Sequence, residues 1–410
     1  MSGFVAFLDR RILPALTALS ENTSMSAIRA GMVSVVPLTI IGGLFMVIAY
    51  LPVPGWERIV APWLPVLQVP VTATFGVLGL IVCIAIAYDL GTRLDQEAIV
   101  SATMAATIFL LIQIDPSDLT FSTPGLGSQG LFTAIIVALV VVRTQRFFTA
   151  RGLVVSMPDT VPGVFAQSFL SLVPLLFLVV SFWLLRFVAG VDINRVVQAA
   201  FSPLVFALNT LPCILVYACL VSLLWSVGIH GDNALDAIVA PIFLQYLAEN
   251  VAAMTAGEPL PYVTANGFFT TFVNVGGTGA TLALALILAT SKDAAYRKVG
   301  RLSLPTQVFQ INEPIFFGLP IVLNPVFMAP YVISALVLTA GSFVLMSWDL
   351  VHKPFVNVPW TTPPIIGHYL VSGGDWRAAL WGVASLAIAA AIYYPFVRAA
   401  ERGRAASRDV

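Results

Sequence analysis

The sequence predicts an all-α polytopic membrane protein with about ten transmembrane helices, together with re-entrant hairpins and amphipathic surface helices. Charged residues make up only 10% of the 410 residues, and apolar residues make up 59%. Soluble domains carry about 25% charged residues, so a chain this poor in charge could not cover a water-facing surface. A transmembrane helix needs about 20 apolar residues, and most of the long uncharged intervals reach that length. These intervals are 30–56, 59–88, 119–142, 160–185, 196–231, 259–291, 314–348 and 378–397.

The Lys and Arg residues gather in four regions, which predict the loops that face the cytoplasm. The positive-inside rule keeps such clusters on the cytoplasmic side, and it therefore places both termini there. From an inside N-terminus, the first half of the chain predicts spans at 31–51, 71–91, 98–114, 126–142 and 161–185. The loop 115–130 contains Asp115 and Asp118 but no Lys or Arg, and it then falls outside. The four cationic regions are Arg10, Arg11 and Arg29; Arg143, Arg146 and Arg151; Lys292, Arg297, Lys298 and Arg301; and Arg398, Arg402, Arg404 and Arg408.

The first thirty residues show no signal peptide. Apolar side chains recur there at helical spacing from Phe4 to Leu19, interrupted by charges such as Asp9 and Arg10. This pattern predicts an amphipathic helix on the cytoplasmic membrane surface. The three cysteines lie in apolar segments without paired spacing, which favours small buried side chains over a disulfide framework or a metal cluster. No Walker-type glycine loop occurs, so we expect neither a nucleotide nor a metal as cofactor.

The two halves of the chain differ in how often Gly and Pro interrupt their apolar stretches. Residues 1–195 predict ordinary spans joined by short loops, and a surface helix is expected around 196–208. Beyond residue 210, Gly and Pro repeatedly interrupt the apolar stretches. Non-helical backbone at membrane depth is tolerated only where protein buries it or water lines it, and discontinuous helices of this kind are typical of transport sites. We therefore interpret 1–195 as a scaffold domain and 196–410 as the domain that holds a solute.

Two ionisable residues next to apolar stretches are the candidates for chemistry, because such groups are costly in a membrane. Glu313 lies between Asn312 and Pro314 and precedes 35 uncharged residues, and His230 follows a long apolar run. Pro314 disfavours helical geometry in the residue before it, so the carboxylate is expected at a helix break beside the Asn312 amide. The alternatives are a Glu313 that caps a re-entrant helix and a His230 whose ring is satisfied by backbone groups.

Two tryptophans, Trp225 and Trp360, each lie close to a Gly or Pro break. An indole face suits the apolar face of a sugar ring. Membrane tryptophans are, however, most often interfacial anchors, and the residues alone leave both interpretations open.

Several ordered motifs carry a resemblance to a known family. The run Asn-Glu-Pro-Ile-Phe-Phe-Gly-Leu-Pro-Ile-Val-Leu-Asn-Pro at 312–325 is the strongest, with Gly-Ile-His-Gly at 228–231 upstream. Further matches are Leu-Gly-Ser-Gln-Gly-Leu-Phe at 126–132, Met-Pro-Asp-Thr-Val-Pro at 157–162 and Pro-Trp-Thr-Thr-Pro-Pro at 359–364. Over nearly its whole length, the chain resembles the membrane IIC component of the bacterial phosphoenolpyruvate-dependent sugar phosphotransferase system, in its lactose, cellobiose and diacetylchitobiose branch.

The resemblance implies the site residues and the chemistry. Glu313 and His230 correspond to the essential glutamate and histidine of the family. Glu313 would accept the proton of a sugar hydroxyl, and His230 would donate to that hydroxyl or to the arriving phosphoryl group. The family's sugar-contacting positions, including the loop that lines the site, correspond to Asn312, Trp225, Trp360, Gly231, Gly127 and Ser128.

The resemblance also implies the partners. A IIC component is the membrane part of a protein-phosphocysteine–sugar phosphotransferase and works as a homodimer in the bacterial inner membrane. Its C-terminal domain moves like an elevator. Since no soluble domain follows the last apolar segment, we expect a separate phosphorylated IIB protein as donor, supplied through IIA, HPr and enzyme I. A disaccharide is expected as substrate and nucleic acid is not expected as a partner.

Two other classes of protein compete with this interpretation. An ion-coupled secondary sugar transporter would use Glu313 as a proton or sodium carrier, and free sugar would accumulate without phosphorylation. An intramembrane enzyme that modifies a lipid-linked sugar is disfavoured, because neither a second carboxylate nor a metal cluster accompanies Glu313.

Overall fold

The structure is a computed structural model that describes residues 22–50, 55–155, 169–319, 321–322 and 324–406. Helices make up most of the described residues, and no β-strand occurs among them apart from one isolated bridge between Ile114 and Phe121. The amphipathic helix predicted before residue 22 lies outside the described residues. In the first half the helices are α1 Thr23–Ser34, α2 Val36–Ala49, α3 Trp56–Val60, α4 Leu64–Phe75, α5 Leu78–Arg93, α6 Ala98–Gln113, α7 Thr123–Leu126, α8 Leu131–Ala150, α9 Leu172–Trp183 and α10 Ile193–Leu208.

The second half is interrupted more often, as the Gly and Pro residues predict. A π-helical segment spans Phe268–Val273. Loops separate several helices within stretches of sequence that are apolar. The helices there are α11 Leu211–Ser226, α12 Gly231–Ala256, α13 Thr281–Ala289, α14 Ala294–Val308, α15 Glu313–Gly318, α16 Pro325–Ser347, α17 Pro364–Val371 and α18 Trp376–Ala406.

Within the described part of the chain, six helical stretches are long and apolar enough to cross a membrane. A seventh is possible if the pair Leu172–Val188 and Ile193–Leu208, bent by 86°, forms one span. The predicted all-α polytopic class is therefore confirmed, whereas the count of about ten spans stays a prediction. The surface helix expected around 196–208 is part of α10.

The described residues fall into two compact units. The first comprises Met1–Gly42, Pro70–Val205 and Asp236–Gln245, and the second comprises Gly43–Val69, Phe206–Leu235 and Tyr246–Val410. The boundaries of the units fall inside α2, α4, α10 and α12, each of which contributes residues to both. The functional division at residues 195 and 196 stays a prediction.

In the first unit, α5 packs against α1, α6 and α8. Small residues make this close packing possible: a Cβ at Gly31 would clash with Ile86, as is usual where helices approach in membranes. A buried hydrogen bond from Ser101 Oγ to Gln145 Oε1 (2.6 Å) joins α6 to α8. Cys83 is fully buried, as predicted for a small core residue, whereas Cys213 and Cys219 are only half-buried, so the prediction is wrong for these two.

In the second unit, α13 packs against α14 and α18, and α16 packs against α11 and α18. The buried Asn250 amide ties two loops to α12: its Nδ2 donates to the carbonyls of Tyr262 (2.8 Å) and Pro354 (2.7 Å), and its Oδ1 accepts the Tyr262 N–H (3.0 Å). Tyr393 of α18 donates to the Gly279 carbonyl (2.7 Å). Buried side chains thus hydrogen-bond to backbone groups of these irregular segments, as backbone at membrane depth requires.

Candidate functional site

The predicted break around His230 is a short turn between α11 and α12. Gly228 adopts a positive φ of 88°, which an L side chain rarely adopts. His230 is the N-cap of α12, and Gly231 is its first residue. A Cβ at Gly231 would clash with the Val221 carbonyl, so the absence of a side chain lets the start of α12 pass close to α11.

The His230 ring has defined hydrogen-bonding roles at this turn. Its Nδ1 accepts the backbone N–H of Asn233 (3.2 Å), which is a helix N-cap interaction. A ring nitrogen that accepts carries no proton, so the neutral ring holds its proton on Nε2. His230 is exposed, and its Nε2–H is a donor for a ligand. The alternative of a ring satisfied by backbone groups therefore describes one of the two nitrogens.

Trp225 lies in the last turn of α11 and is only 5% exposed. Its ring centroid lies 4.3 Å from that of His230 and 5.2 Å from that of Phe316, which approaches edge-on. Its Nε1–H donates to Asp232 Oδ2 (2.8 Å). The structure thus places Trp225 in a packed aromatic cluster with His230.

The second predicted break lies between α14 and α15. Gln310 adopts a positive φ of 67°, Asn312 is the N-cap of α15, and Glu313 is its first helical residue. Asn312 is 3% exposed, and its Nδ2 donates to the Thr278 carbonyl (3.1 Å). The adjacent Glu313 is exposed. A buried amide and an accessible carboxylate therefore stand side by side at this break.

A glycine-rich loop underlies Asn312. Gly276, Gly277 and Gly279 all have positive φ values, between 79° and 101°. Gln310 Oε1 accepts the N–H groups of Gly276 (2.6 Å) and Gly277 (3.1 Å). A Cβ on Gly277 would lie 2.6 Å from Asn312 Cβ. The loop can therefore support Asn312 closely only because it lacks side chains at these positions.

One hydrogen-bonded chain joins the two breaks. Asp232 Oδ2 accepts from Trp225 Nε1 and also from Thr278 Oγ1 (3.1 Å), and the Thr278 carbonyl accepts from Asn312. The sequence interpretation did not include Thr278 or Gln310 in the site. The signals that could have found them are the Gly-Gly-Thr-Gly run at 276–279 and the position of Gln310 two residues before Asn312.

The other predicted residues take no part in this chain of hydrogen bonds among the described residues. Trp360 is 57% exposed in the turn before α17, and no hydrogen bond or ring contact to the Trp225 cluster is found for it among the described residues. Gly127 and Ser128 belong to the first unit, where the Gly127 carbonyl approaches Gly79 closely. Within the described ranges, no group of three or more His, Cys, Asp or Glu side chains is arranged to hold a metal ion.

Comparison with known proteins gives the chain a family context. The family model "Phosphotransferase system, EIIC" matches residues 29–335. The cellobiose-specific EIIC component of Geobacillus stearothermophilus is 34% identical, with 100% of this chain and 97% of that protein covered. The lichenan permease IIC component of Bacillus subtilis (strain 168) is 33% identical, with coverage of 95% and 92%.

A solved structure and a longer relative add to this context. The crystal structure of the transporter ChbC, the IIC component of the N,N'-diacetylchitobiose-specific phosphotransferase system, superimposes with a TM-score of 0.92 at 33% identity. The match covers 98% of this chain and 99% of that one. The lactose-specific EIICB component of Streptococcus mutans is 29% identical over 94% of this chain and 70% of its own length.

Proposed function

This chain belongs to the EIIC family of the phosphotransferase system, and from that premise we propose that it takes up a disaccharide of the cellobiose, diacetylchitobiose or lactose type and presents it for phosphorylation by a phosphorylated IIB protein. The observation that carries the proposal is the cluster in the second unit, where Trp225, His230 and Asn312 are joined beside the exposed Glu313. The names of the relatives support the sugar class.

The proposed sugar contacts follow from the chemistry of these side chains. The His230 Nε2–H donates to a sugar hydroxyl. Trp225 is only 5% exposed, so its proposed sugar contact is limited to the small part of the ring left uncovered beside His230. Asn312 uses one amide hydrogen on the Thr278 carbonyl and also interacts with the buried Tyr331 hydroxyl, which leaves its carbonyl oxygen as the proposed contact to the ligand. Trp360 and Gly231 are further proposed sugar contacts in the second unit, and Gly127 and Ser128 stay sugar contacts implied by the family resemblance.

The proposed transfer step forms one bond and breaks another. The sugar hydroxyl oxygen attacks the phosphorus of the IIB phosphocysteine, the O–P bond forms, the S–P bond breaks, and the cysteine leaves as a thiolate. Glu313 accepts the hydroxyl proton, since a hydroxyl is a poor nucleophile until its proton has an acceptor. During transfer the single His230 Nε2–H donates to a phosphoryl oxygen in place of the sugar hydroxyl, and positioning supplies most of the remaining catalysis.

The proposed cycle needs partners and motion. The fused name of the Streptococcus mutans relative, EIICB, supports a IIB protein as the partner, which would be recharged through IIA, HPr and enzyme I. We assign dimer formation to residues 1–195 and an elevator-like movement of the sugar to residues 196–410. Both termini would lie on the cytoplasmic side of a bacterial inner membrane, because the cationic clusters favour that orientation.

The test is a transport and phosphorylation assay in membrane vesicles with purified phospho-IIB and labelled disaccharides. Sugar phosphate is expected inside the vesicles only when phospho-IIB is present. Glu313→Gln is expected to bind sugar but to form at least a hundredfold less sugar phosphate, the scale of a lost general base. Glu258→Gln, which alters an exposed glutamate after α12, is the matched control and should behave like the unaltered protein.

Two results would contradict the proposal. Normal sugar phosphate formation by Glu313→Gln would remove this residue from proton transfer. Accumulation of free sugar without phospho-IIB, abolished by an uncoupler, would instead favour the ion-coupled transporter.

A further inference from the structure

We propose that Asp232 is a positioning residue of the sugar site, which holds the Trp225 indole in place and couples it to Asn312 through Thr278. The inference rests on the proposed function, because it assigns a role within the same site. Asp232 is not one of the proposed catalytic or sugar-binding residues. Its carboxylate nevertheless accepts hydrogen bonds from two different segments of the second unit.

The Trp225 indole needs a hydrogen-bond acceptor. An indole Nε1–H can only donate, and Trp225 is 5% exposed. Leaving such a donor without a partner costs free energy. Asp232 Oδ2 lies 2.8 Å from Nε1, and a hydrogen bond to a charged acceptor is stronger than one to a neutral acceptor.

Two neighbouring rings also contact the Trp225 indole. His230 and Phe316 contact the ring at centroid distances of 4.3 and 5.2 Å, tilted by 46° and 75°. Such ring contacts hold the ring laterally but tolerate rotation about the side-chain bonds. The bond to Asp232 adds a directional constraint at one end of the ring, and it therefore selects a single orientation of Trp225 and, through it, of His230.

Asp232 also connects Trp225 to the helix break at Asn312. The same Asp232 oxygen accepts from Thr278 Oγ1 (3.1 Å), while the Thr278 carbonyl accepts from Asn312 Nδ2 (3.1 Å). Three hydrogen bonds therefore run from Trp225 to Asn312 through Asp232 and Thr278. A carboxylate can accept several bonds at once, which lets one side chain serve both donors.

The position of Asp232 also explains why a charged residue is tolerated here. It lies in the first turn of the 26-residue helix α12, where the exposed N–H groups and the helix dipole favour a negative charge. The charge is thus stabilised by the start of α12 while its oxygen faces Trp225 and Thr278. A neutral amide at this position would keep the acceptor geometry but lose this stabilisation.

The experiment compares Asp232→Ala with Asp232→Asn in the full chain, purified in detergent and labelled with 5-fluorotryptophan. The Trp225 resonance is assigned by its loss in Trp225→Phe. Without sugar, we expect Asp232→Ala to shift or broaden this ¹⁹F resonance, and Asp232→Asn to keep it as one narrow line because the amide oxygen still accepts from Nε1. Asp118→Ala is the matched control, since Asp118 Oδ1 also accepts two hydrogen bonds, from Thr120 in an exposed loop.

The second measurement is the Kd of a disaccharide by calorimetry on the same samples. Asp232→Ala is expected to weaken binding about tenfold, which is the scale of one lost charge-assisted hydrogen bond. Asp232→Asn should stay within about threefold of the unaltered protein by the same scale. A role in folding alone would lower the yield of folded protein but leave the Kd of the folded fraction and the Trp225 resonance unchanged.

Each outcome separates this proposal from the proposed function. If the unaltered protein binds sugar but phospho-IIB phosphorylates none, the proposed function fails while both measurements still test Asp232. If no disaccharide binds, the Trp225 resonance decides alone. An unchanged Trp225 resonance in Asp232→Ala, or an Asp232→Asn variant as impaired as Asp232→Ala, would overturn the positioning role.

Discussion

Substitution of Gln310 tests whether a single side chain supports the loop beneath Asn312. Its Oε1 accepts the buried N–H groups of Gly276 (2.6 Å) and Gly277 (3.1 Å), and its Nε2 donates to the Thr270 carbonyl (3.1 Å). Gln310→Ala leaves both N–H groups without this partner. The Gly277 N–H also donates to the Asn274 carbonyl (3.0 Å), so only the Gly276 N–H is orphaned, and one orphaned buried group costs about 1–3 kcal/mol. The partly buried Thr270 carbonyl adds little, because water can reach it.

Two further variants separate the lost hydrogen bonds from backbone strain. Gln310 has a φ of 67°, which costs a non-glycine residue about 1–2 kcal/mol. Gln310→Gly removes the same amide but relieves that strain, so we expect it to be about 1 kcal/mol more stable than Gln310→Ala. Gln310→Glu keeps an acceptor for the two N–H groups but turns an oxygen towards the Thr270 carbonyl, and an intermediate stability is expected.

The assay is denaturant unfolding of the purified protein in detergent, combined with a disaccharide Kd for the folded protein. We expect Gln310→Ala to lower the free energy of unfolding by about 2 kcal/mol and to weaken sugar binding, since the loop no longer supports Asn312. A loss below about 1 kcal/mol, or a Gln310→Gly variant less stable than Gln310→Ala, would refute the reasoning.

Three further predictions concern other parts of the second unit. Gly277→Ala is expected to weaken sugar binding about tenfold in calorimetry, because its Cβ would lie 2.6 Å from Asn312 Cβ. Asn250→Asp is expected to lower the free energy of unfolding by about 3 kcal/mol or more at neutral pH, because a carboxylate would face two carbonyl oxygens. Burial alone would raise the pKa of the Asp375 carboxyl, but hydrogen bonds from Arg377 and from a backbone N–H outweigh it and lower that pKa. Asp375 should therefore stabilise the fold above its unfolded-state pKa of about 3.9, and this contribution should be lost as pH falls through the lower folded-state pKa, as unfolding measured against pH would reveal.

Each of these predictions has a control. Gly190→Ala adds a side chain at a φ of 67° in open space, so it should cost only about 1 kcal/mol of strain and leave sugar binding unchanged. The free energy of unfolding of Asn250→Asp should rise at lower pH, where the carboxylate gains a proton. A stability equal to that of the unaltered protein at neutral pH would contradict the argument. Asp375→Asn should flatten the acid limb of the stability profile, and an unchanged limb would assign it to other groups.

The fold class was predictable because it depends on composition, which needs no knowledge of contacts. A chain with 10% charged residues has few soluble solutions, and the uncharged intervals mark most of the long helices. The break near Glu313 was also predictable, since Pro is tolerated only in the first turn of a helix. The expectation that Pro314 takes Glu313 out of helical geometry was wrong, because Glu313 is the first helical residue of α15. The 86° bend before α10 was not predicted, because only a polar linker around Asp192 marks it in the sequence.

The bonds that build the site could not be predicted from sequence. Asp232 and Thr278 are 46 residues apart, too far for a local sequence motif to connect them. Their hydrogen bond depends on how α12 and the glycine-rich loop pack. The partners of Gln310 lie more than thirty residues away in the same loop. Local patterns indicate where helices break, whereas the groups that satisfy the freed backbone come from tertiary contacts.

The contrast between Asn312 and Glu313 fits the proton-transfer role that we propose for Glu313. A proton acceptor must meet the reacting hydroxyl, the incoming donor and finally water, so it has to be accessible, as Glu313 is. An accessible side chain is also mobile, and its backbone needs an anchor. Asn312 provides that anchor one residue earlier, because it is 3% exposed and bonded to the Thr278 carbonyl. If this division holds, Asn312→Ala should lower both sugar affinity and transfer rate, whereas Glu313→Gln should lower the transfer rate alone. Equal effects of the two substitutions on sugar affinity would show that anchoring and proton transfer are not separated between these neighbours.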